Sequence, residues 1–348
     1  MSLKKIRVLI VDDSATMRKL IRTAISADPR IDVVAEASDA REARDAVNLH
    51  APDVMTLDIE MPNMSGLEFL ERLMRHRPMP VVMISTLTRQ GSAAAVEALA
   101  LGAVECIEKP RYGNAQDTFE KLIEAICVAA NARVKDAAVT PHVARVQSGQ
   151  TYQKICLIGG STGAVDAIER ILSRFPADCP PTMITQHMPA PFLASFAARL
   201  DPIVKPHVTL AENGRPLRAG EVVLAPGGDF HLELGPEGTP VTRLLQSPPV
   251  SGHRPSVDVM FRSALSHAPR VVAAILTGMG RDGADGLTAL RDAGAVTLGQ
   301  SKDSCVVFGM PRVAGEMGGV SEWVDLEDMG DRILALAATA PRSAAHGG

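Results

Sequence analysis

Aromatic residues are scarce in this chain of 348 residues. They make up 3% of the sequence, with one tryptophan and two tyrosines, although hydrophobic residues together reach 46%. A chain of this length is usually divided into two domains. We therefore expect two sizeable hydrophobic cores that are built mainly from aliphatic side chains and methionine.

Three further absences narrow the functional class. The five cysteines include no Cys-x-x-Cys pair, which argues against a zinc or disulfide framework and fits a reducing compartment. The formal net charge is −4, so a dedicated nucleic-acid binder is not expected. No apolar run approaches membrane-spanning length, and the run after Lys5 stops at Asp12, too early for a signal peptide. We therefore expect a cytoplasmic protein without direct membrane insertion.

The first 130 residues alternate strand and helix patterns. Five apolar runs, each followed by helical spacing, are IRVLIV, IDVVAEA, PDVMTLD, MPVVMIS and AVECIE. This alternation predicts a doubly wound α/β domain with a five-stranded parallel sheet. Residues 131–152 are polar, lack periodicity and contain Pro141 and Gly149, which is typical of a linker.

A second alternating region occupies residues 153–348. Its predicted strands are KICLIG, PTMITQ, EVVLAP, DFHLEL, VTRLLQ, VVAAILT and AVTLGQ. Helices are expected after Ser161, Pro191, Ser256 and Asp282. Short segments joined by Gly-Pro turns between residues 203 and 246 indicate an antiparallel insertion or edge. The prediction is a second doubly wound, mostly parallel α/β domain with an antiparallel portion.

Polar side chains follow four of the strands predicted in the first domain. They are Asp12 and Asp13, Asp58, Ser85 and Lys109. The carboxyl ends of parallel strands meet at one edge of a sheet, where ligands bind. Three carboxylates there suit Mg²⁺, while a hydroxyl and an ammonium suit a phosphoryl group on one carboxylate. Any one of these residues alone would more often be a helix cap or a solvated loop residue, but the five together at the strand ends are far more specific.

The stretch GGSTG, which follows the strand KICLIG, presents Ser161 at the start of a helix. It matches Gly-x-Ser-x-Gly, the turn that exposes a nucleophilic serine. The flanking glycines permit a strained turn, and the helix N-terminus favours developing negative charge. A phosphate cradle and a simple helix cap remain alternatives for the same residues.

A nucleophilic serine needs a base and an orienting carboxylate. His187 ends the strand PTMITQ, and Asp282 follows VVAAILT, so both are expected at the edge where Ser161 lies. Backbone N–H groups at Thr162 and Met279 are candidates for an oxyanion hole.

Two alternatives concern the same C-terminal segment. Asp285 is a rival to Asp282, although it lies further into the predicted helix. The stretch GMGRDG, residues 278–283, also matches the Gly-x-Gly-x-x-Gly dinucleotide fingerprint. That fingerprint requires an acid at the end of the next strand, where Gln300 stands, and Asp303 lies past the strand.

The N-terminal half resembles the response-regulator receiver family in VLIVDDS, DVMTLDIEMPNMSG, VVMIST and ECIEKP. The resemblance implies a flavodoxin-like receiver domain over residues 1–130 that a histidine kinase phosphorylates on Asp58. It further implies that Mg²⁺ is held by Asp12, Asp13, Asp58 and the backbone carbonyl of Glu60. The residues implied to sense the phosphoryl group are Ser85 and Lys109.

The C-terminal half resembles the catalytic domain of chemotaxis receptor methylesterases in IGGSTGA, QHMP, HRPSVDVMF and ILTGMGRDGADG. The resemblance implies that Ser161 is the nucleophile, His187 the general base and acid, and Asp282 the orienting carboxylate. It places Thr162 and Met279 beside the oxyanion and implies no cofactor for the esterase reaction.

Two positions within these motifs receive separate interpretations. That family mostly reads Gly-Ala-Ser where this chain reads Gly-Gly-Ser, and we expect Gly160 to loosen the turn slightly. We assign no chemistry to His253 and expect a structural function.

The implied substrates are glutamate γ-methyl esters, and also certain glutamines, on the cytoplasmic helices of methyl-accepting chemotaxis receptors. The implied phosphodonor is the chemotaxis histidine kinase. By the same resemblance, the unphosphorylated receiver packs over the Ser161 cleft, so a 153–348 fragment is expected to be more active than the whole chain. The alternative is a response regulator whose second domain only binds a partner, for example a transcription factor. The chain has no basic helix-turn-helix pattern, which argues against that version.

Overall fold

The structure is a computed structural model that describes residues 4–85, 89–110, 115–134, 152–236, 238 and 240–338. The chain divides into two compact units, residues 1–141 and 142–348. Most of the predicted linker, 131–152, lies outside the described residues, so its boundaries stay a prediction. Within the described residues, no helix is long and apolar enough to cross a membrane.

The N-terminal unit contains the five predicted strands. They are β1 (Ile6–Val11), β2 (Ile31–Ala37), β3 (Val54–Asp58), β4 (Val81–Ser85) and β5 (Glu105–Glu108). The helices that alternate with them are α1 (Ala15–Ile25), α2 (Ala40–His50), α3 (Gly66–His76), α4 (Arg89–Ala100) and α5 (Ala115–Ala129). All strand pairs are parallel, in the order β2-β1-β3-β4-β5. This is the flavodoxin-like doubly wound order, as predicted.

Burial and capping explain why these segments fold as they do. Every residue of β3 and β4 is buried, because helices cover both faces of the sheet. The helices begin at side chains that accept hydrogen bonds from the first turn: Ser14 for α1, Asp39 for α2, and Ser65 with Glu68 in a capping box for α3.

The C-terminal unit contains nine strands and six α-helices among its described residues. The strands are β6 (Ile155–Gly160), β7 (Thr182–Gln186), β8 (His207–Leu210), β9 (Glu221–Leu224), β10 (Phe230–Leu234), β11 (Thr242–Gln246), β12 (Val271–Ile275), β13 (Val296–Gln300) and β14 (Glu322–Val324). The helices are α6 (Ala164–Ser173), α7 (Ala190–Leu200), α8 (Val257–Ser263), α9 (Ala284–Asp292), α10 (Met310–Glu316) and α11 (Leu326–Ala337), and Leu265–Arg270 form a 3₁₀ helix.

Seven of these strands form one parallel sheet in the order β14-β13-β12-β6-β7-β9-β8. The antiparallel portion is narrower than expected, because β8 and β9 join the parallel sheet and only β10 and β11 pair as an antiparallel hairpin. The three central strands β12, β6 and β7 are neighbours. Their carboxyl ends therefore bring the segments after Gly160, Gln186 and Ile275 to one place.

The core of this unit consists mainly of aliphatic side chains, as the composition predicts. The strands β6, β7 and β12 are buried along their whole lengths. Four of the eight phenylalanines are fully buried: Phe175, Phe192, Phe196 and Phe261. The rigid centre of the sheet thus supports the loops that follow it.

Candidate active site

Ser161 and His187 leave adjacent strands at the same level. Gly160 of β6 is in register with Gln186 of β7, and the N–H of His187 donates to the carbonyl of Gly160 at 3.1 Å. Neighbouring strands lie about 4.8 Å apart. Ser161 and His187 each follow this registered pair by one residue, so the two residues are close together, as predicted.

The turn at Ser161 differs in two respects from the expected strained and exposed one. Positive φ falls on Gly163, at +79°, and not on Ser161, and Ser161 is only 8% exposed. The side-chain amide of Gln186 donates to the Ser161 carbonyl at 2.9 Å and holds the turn. The Ser161 hydroxyl makes no hydrogen bond to any residue that the structure describes, including His187. In free enzymes such catalytic contacts are often long.

Gly160 does not loosen the turn, contrary to expectation. A Cβ atom at position 160 would lie 2.5 Å from the Cβ of Ala164 and 3.3 Å from Oε1 of Gln186. The first of these separations is shorter than any real carbon–carbon contact allows. Glycine at 160 therefore accommodates Ala164 at the start of α6.

His187 and Asp282 are joined by a short hydrogen bond. Nε2 of His187 donates to Oδ2 of Asp282 at 2.7 Å, and both side chains are buried. Nδ1 of His187 is also buried and has no hydrogen-bond partner among the described residues. Nδ1 is therefore the ring nitrogen that is available to accept a proton. Asp285, the rival carboxylate, instead pairs with Arg281, which is exposed.

Asp282 is held by the segment at the start of α8. Its Oδ1 accepts from the Ser256 hydroxyl at 2.7 Å and from the Asp258 N–H at 3.2 Å, and its Oδ2 accepts from the Val257 N–H at 2.7 Å. Burial opposes ionisation, but the His187 hydrogen bond and these donors keep the pKa of Asp282 below its usual value. The carboxylate therefore remains charged and fixed in orientation.

A second buried carboxylate lies next to Asp282. Oδ1 of Asp258 accepts from the Gly286 N–H in α9 at 2.6 Å. Burial, reinforced by the charge of Asp282, raises the pKa of Asp258 to about 6. Sequence reasoning did not identify Asp258, because its neighbourhood depends on the packing of α8 against α9.

His253 lies flat against His187. The centroids of the two rings are 3.8 Å apart, and the ring planes differ by 8°. Burial, followed by the neighbouring His187, lowers the pKa of His253 to about 4. His253 therefore lies in the site itself, although the sequence suggested only a structural function for it.

A buried histidine that the sequence did not reveal supports Ser256. His231 of β10 is fully buried; its Nδ1 accepts from the Ser256 N–H at 3.1 Å, and its Nε2 donates to the Pro248 carbonyl at 3.1 Å. The partners lie 25 and 17 residues from His231, so no local pattern could have predicted them. The β10–β11 hairpin thus anchors the segment that holds Asp282.

The loop after β12 packs directly against Ser161. A Cβ atom at Gly278 would lie 2.7 Å from the Cβ of Ser161 and 2.5 Å from the Met310 sulfur. The Thr277 hydroxyl donates to the Thr162 carbonyl at 3.0 Å. The N–H of Met279 has no acceptor among the described residues, which is the condition for an oxyanion donor.

The same loop gives no support to the dinucleotide interpretation. Gly278 and Gly283 accommodate side chains of this chain, because a Cβ at Gly283 would lie 2.6 Å from Val257. Gln300, at the position where a ribose-binding acid is required, accepts the Thr277 N–H at 2.8 Å and donates to the Ser304 carbonyl at 2.8 Å. Its amide thus serves to hold the loop.

The acidic cluster of the N-terminal unit assembles at the predicted sheet edge. One carboxylate oxygen from each of Asp12, Asp13 and Asp58 lies within 4.8 Å of the others. Oδ2 of Asp12 is buried without a hydrogen-bond partner among the described residues, although the Lys109 ammonium lies 3.7 Å away. An unpartnered carboxylate oxygen beside two further carboxylates fits a divalent metal site.

Lys109 and Asp58 are in direct contact. The Lys109 ammonium donates to Oδ2 of Asp58 at 2.7 Å. Burial raises the pKa of Asp58 to about 6, and the Lys109 charge opposes this change. Although burial disfavours its charge, the hydrogen bond to Asp58 keeps the pKa of Lys109 above its usual value. Asp58 thus lies where a phosphoryl group can meet the ammonium.

Ser85 and Glu60 are the remaining predicted residues of this site. The Ser85 hydroxyl donates to the Gly91 carbonyl at 3.0 Å. Glu60 is exposed, and its N–H donates to Oδ1 of Asp58 at 3.3 Å. Arg18 was not predicted; its guanidinium donates to the carbonyls of Asp12 and Asp13 at 2.7 and 3.2 Å and fixes the acidic loop.

Comparison with known proteins supports both halves of this description. Residues 156–333 match the CheB methylesterase family. The chain belongs to that family. Residues 8–122 match the response regulator receiver domain, so the CheB-type catalytic unit is fused to a receiver domain.

Relatives of this CheB family member match over nearly the whole chain. A protein-glutamate methylesterase/protein-glutamine glutaminase of Caulobacter vibrioides is 52% identical and covers 96% of this chain and 98% of its own length. A relative of the same description from Rhizobium johnstonii is 50% identical and covers 95% of this chain and 96% of its own length. The crystal structure of the Thermotoga maritima CheB methylesterase catalytic domain is 34% identical, has a TM-score of 0.51, and covers 53% of this chain and 100% of its own.

Proposed function

We propose that this chain is a phosphorylation-regulated protein-glutamate methylesterase that also deamidates glutamine. Its membership of the CheB family and the names of relatives about 50% identical support this activity. One structural observation supports it most strongly. Nε2 of His187 is tied to Asp282 at 2.7 Å while Nδ1 is unpartnered among the described residues, one strand away from Ser161.

The proposed reaction is acyl transfer through Ser161. The Ser161 hydroxyl attacks the ester carbonyl and gives its proton to Nδ1 of His187, while Asp282 stabilises the resulting imidazolium. The N–H groups of Met279 and Thr162 face the oxyanion. His187 then gives this proton to the ester oxygen as the C–O bond breaks, and methanol leaves. For a glutamine it protonates the amide nitrogen as the C–N bond breaks, and ammonia leaves. Water hydrolyses the glutamyl-enzyme by the same steps, and no cofactor takes part.

The substrates follow from the resemblance and the names of the relatives. They are glutamate γ-methyl esters and glutamines on the cytoplasmic helices of chemoreceptors, so we expect the chain to act in the cytoplasm. The phosphodonor is a chemotaxis histidine kinase, and Mg²⁺ at Asp12, Asp13 and Asp58 supports transfer of the phosphoryl group to Asp58. When bound, the ion supplies positive charge against the transferring phosphoryl group.

Substitution of the proposed triad tests this assignment. We expect Ser161→Ala and Asp282→Asn to lower kcat for methanol release from methylated receptor membranes by about 10⁴-fold or more. Ser173→Ala and Asp285→Asn are matched controls, because Ser173 is exposed at the end of α6 and Asp285 pairs with Arg281. A Ser161→Ala variant that releases methanol at the wild-type rate would remove Ser161 from the mechanism. A wild-type chain that releases no methanol would instead favour a binding-only output domain.

A further inference from the structure

The His187 ring is held at one edge by a hydrogen bond and on one face by a second ring. The bond from Nε2 to Asp282 lies in the ring plane and fixes one atom. A single in-plane bond leaves the tilt of the ring free. The parallel ring of His253, with centroids 3.8 Å apart, restricts that tilt.

The nitrogens of His253 do not explain its position. Neither ring nitrogen of His253 forms a hydrogen bond to a residue that the structure describes, and the side chain is only partly buried. The contact that His253 makes in the site is therefore that of its flat ring face with the His187 ring. A residue that served only the hydrophobic core would be expected to be fully buried, as His231 is.

The backbone around His253 is firmly placed. His253 and Val250 exchange two backbone hydrogen bonds, at 2.9 and 3.0 Å. The next residue, Arg254, donates to the carbonyls of Gly228 and Ser247 at 2.6 and 3.0 Å. Three residues of the same segment, Ser256–Asp258, hold Asp282. One stretch of chain thus fixes both partners of His187.

We propose that His253 is a positioning residue for catalysis, whose ring face holds the plane of His187 so that Nδ1 stays directed at the Ser161 hydroxyl. The inference rests on the proposed function, in which Nδ1 receives the Ser161 proton. It assigns His253 no proton transfer: the proton moves from Ser161 Oγ to His187 Nδ1, and Nε2 keeps its own proton toward Asp282. With its pKa near 4, His253 is uncharged at neutral pH, so the imidazolium of His187 does not stack on a second cation.

Three substitutions of His253 in the full chain distinguish whether the site requires its flat ring, its bulk or its polar nitrogens. His253→Phe retains a flat ring, His253→Leu retains bulk without one, and His253→Ala retains neither. We expect the His253→Phe variant to keep kcat within about threefold of wild type. The His253→Leu and His253→Ala variants should lose about tenfold in kcat, and KM should be nearly unchanged in all three. Inactivation by a serine-reactive fluorophosphonate should slow in the same order, because it reports on Ser161 without receptor substrate.

Each outcome decides the proposal. Wild-type kcat in the Ala and Leu variants would overturn it, and so would a Phe variant as impaired as Ala, because a ring nitrogen would then be required. If Ala and Leu unfold the chain and Phe does not, His253 is a core residue and the proposal is wrong. Failure of the proposed function is distinguishable: fluorophosphonate labelling would then be unchanged in Ser161→Ala.

Discussion

At the scale of single residues, Gly160 and Ala164 are coupled by contact. The Cβ of Ala164 occupies the space that a side chain at 160 would need, 2.5 Å from the ideal Cβ position. Both residues are part of rigid elements, because Gly160 ends β6 and Ala164 begins α6. Neither backbone moves easily to relieve a clash, so the two positions are expected to vary together.

We predict that Gly160→Ala destabilises the C-terminal unit by about 1–3 kcal/mol through overpacking and lowers activity. The double substitution Gly160→Ala and Ala164→Gly should recover most of the lost stability and activity, because the second change removes the Cβ atom of Ala164 that causes the clash. Urea unfolding can be followed by fluorescence of the single tryptophan, Trp323, which lies in β14 of this unit. Ala164→Gly alone is the control, with an expected loss of about 1 kcal/mol. Equal stability of Gly160→Ala and wild type would show that the turn can expand.

At the scale of secondary-structure elements, the start of α8 performs two functions. Ser256 caps the helix and holds Asp282, while Asp258 receives the N–H of Gly286 in α9. The pKa of Asp258 is raised to about 6 from 3.8, chiefly by burial. A raised folded-state pKa means that the native state binds protons more tightly than the unfolded chain. The stabilisation from protonated Asp258 is thus present below pH 3.8 and is lost as pH rises through 6.

Asp258→Asn removes this titration. We predict that the free energy of unfolding of the variant, relative to wild type, rises by about 1–3 kcal/mol between pH 4 and pH 7. Asparagine keeps an oxygen that can accept from the Gly286 N–H but has one acceptor oxygen fewer than aspartate. This loss changes the free energy of unfolding by the same amount at every pH. Trp323 fluorescence in urea measures the difference at each pH. A difference that stays constant with pH would mean that Asp258 titrates near its ordinary value.

The sequence was most informative where elements are long or regularly spaced. All five strands of the receiver and the central strands β6, β7 and β12 were predicted, because continuous apolar runs bounded by polar turns are typical of buried parallel strands. The edge strands β8 and β14 were missed, since they have four and three residues and show no periodicity. The helices α10 and α11 were also not predicted.

The same reasoning explains which site residues were found. Ser161, His187 and Asp282 stand directly after strands or in a short loop, so topology alone brings them together. The support from His231, His253 and Asp258 depends on packing between the hairpin, α8 and α9. Such contacts join segments that are distant in sequence, and spacing does not encode them.

At the scale of the whole molecule, the chain joins a receiver domain to a catalytic unit. The receiver contains three clustered carboxylates and a lysine, Lys109, that donates a hydrogen bond to Asp58. These are the side chains that phosphoryl transfer with a divalent cation requires. In the proposed function, phosphorylation of Asp58 would exchange its hydrogen bond with Lys109 for contacts to a phosphoryl group. A change at this site is the event by which the receiver is expected to control the esterase.

We predict that a small phosphodonor with Mg²⁺ raises the rate of methanol release by the full chain. Asp58→Asn, or removal of Mg²⁺ by EDTA, should abolish the increase, because the first removes the acceptor and the second the cation. A fragment of residues 153–348 should be more active than the unphosphorylated chain and should not respond to the phosphodonor. Glu60→Gln is a suitable control, since only its backbone carbonyl is proposed to contact the metal. Equal activities of fragment and unphosphorylated chain would argue against inhibition by the receiver.

The glycines around Ser161 restrict where this enzyme can diversify. A Cβ atom at Gly159, Gly278 or Gly309 would lie within 2.7 Å of a neighbouring atom, so these positions tolerate almost no side chain. Gly252 and Gly280 have open space at the Cβ position, although their φ angles of +82° and +87° still favour glycine at these two residues. Evolution toward other receptors, and inhibitors meant to tell one homologue from another, would therefore have to exploit the outer loops near these two positions.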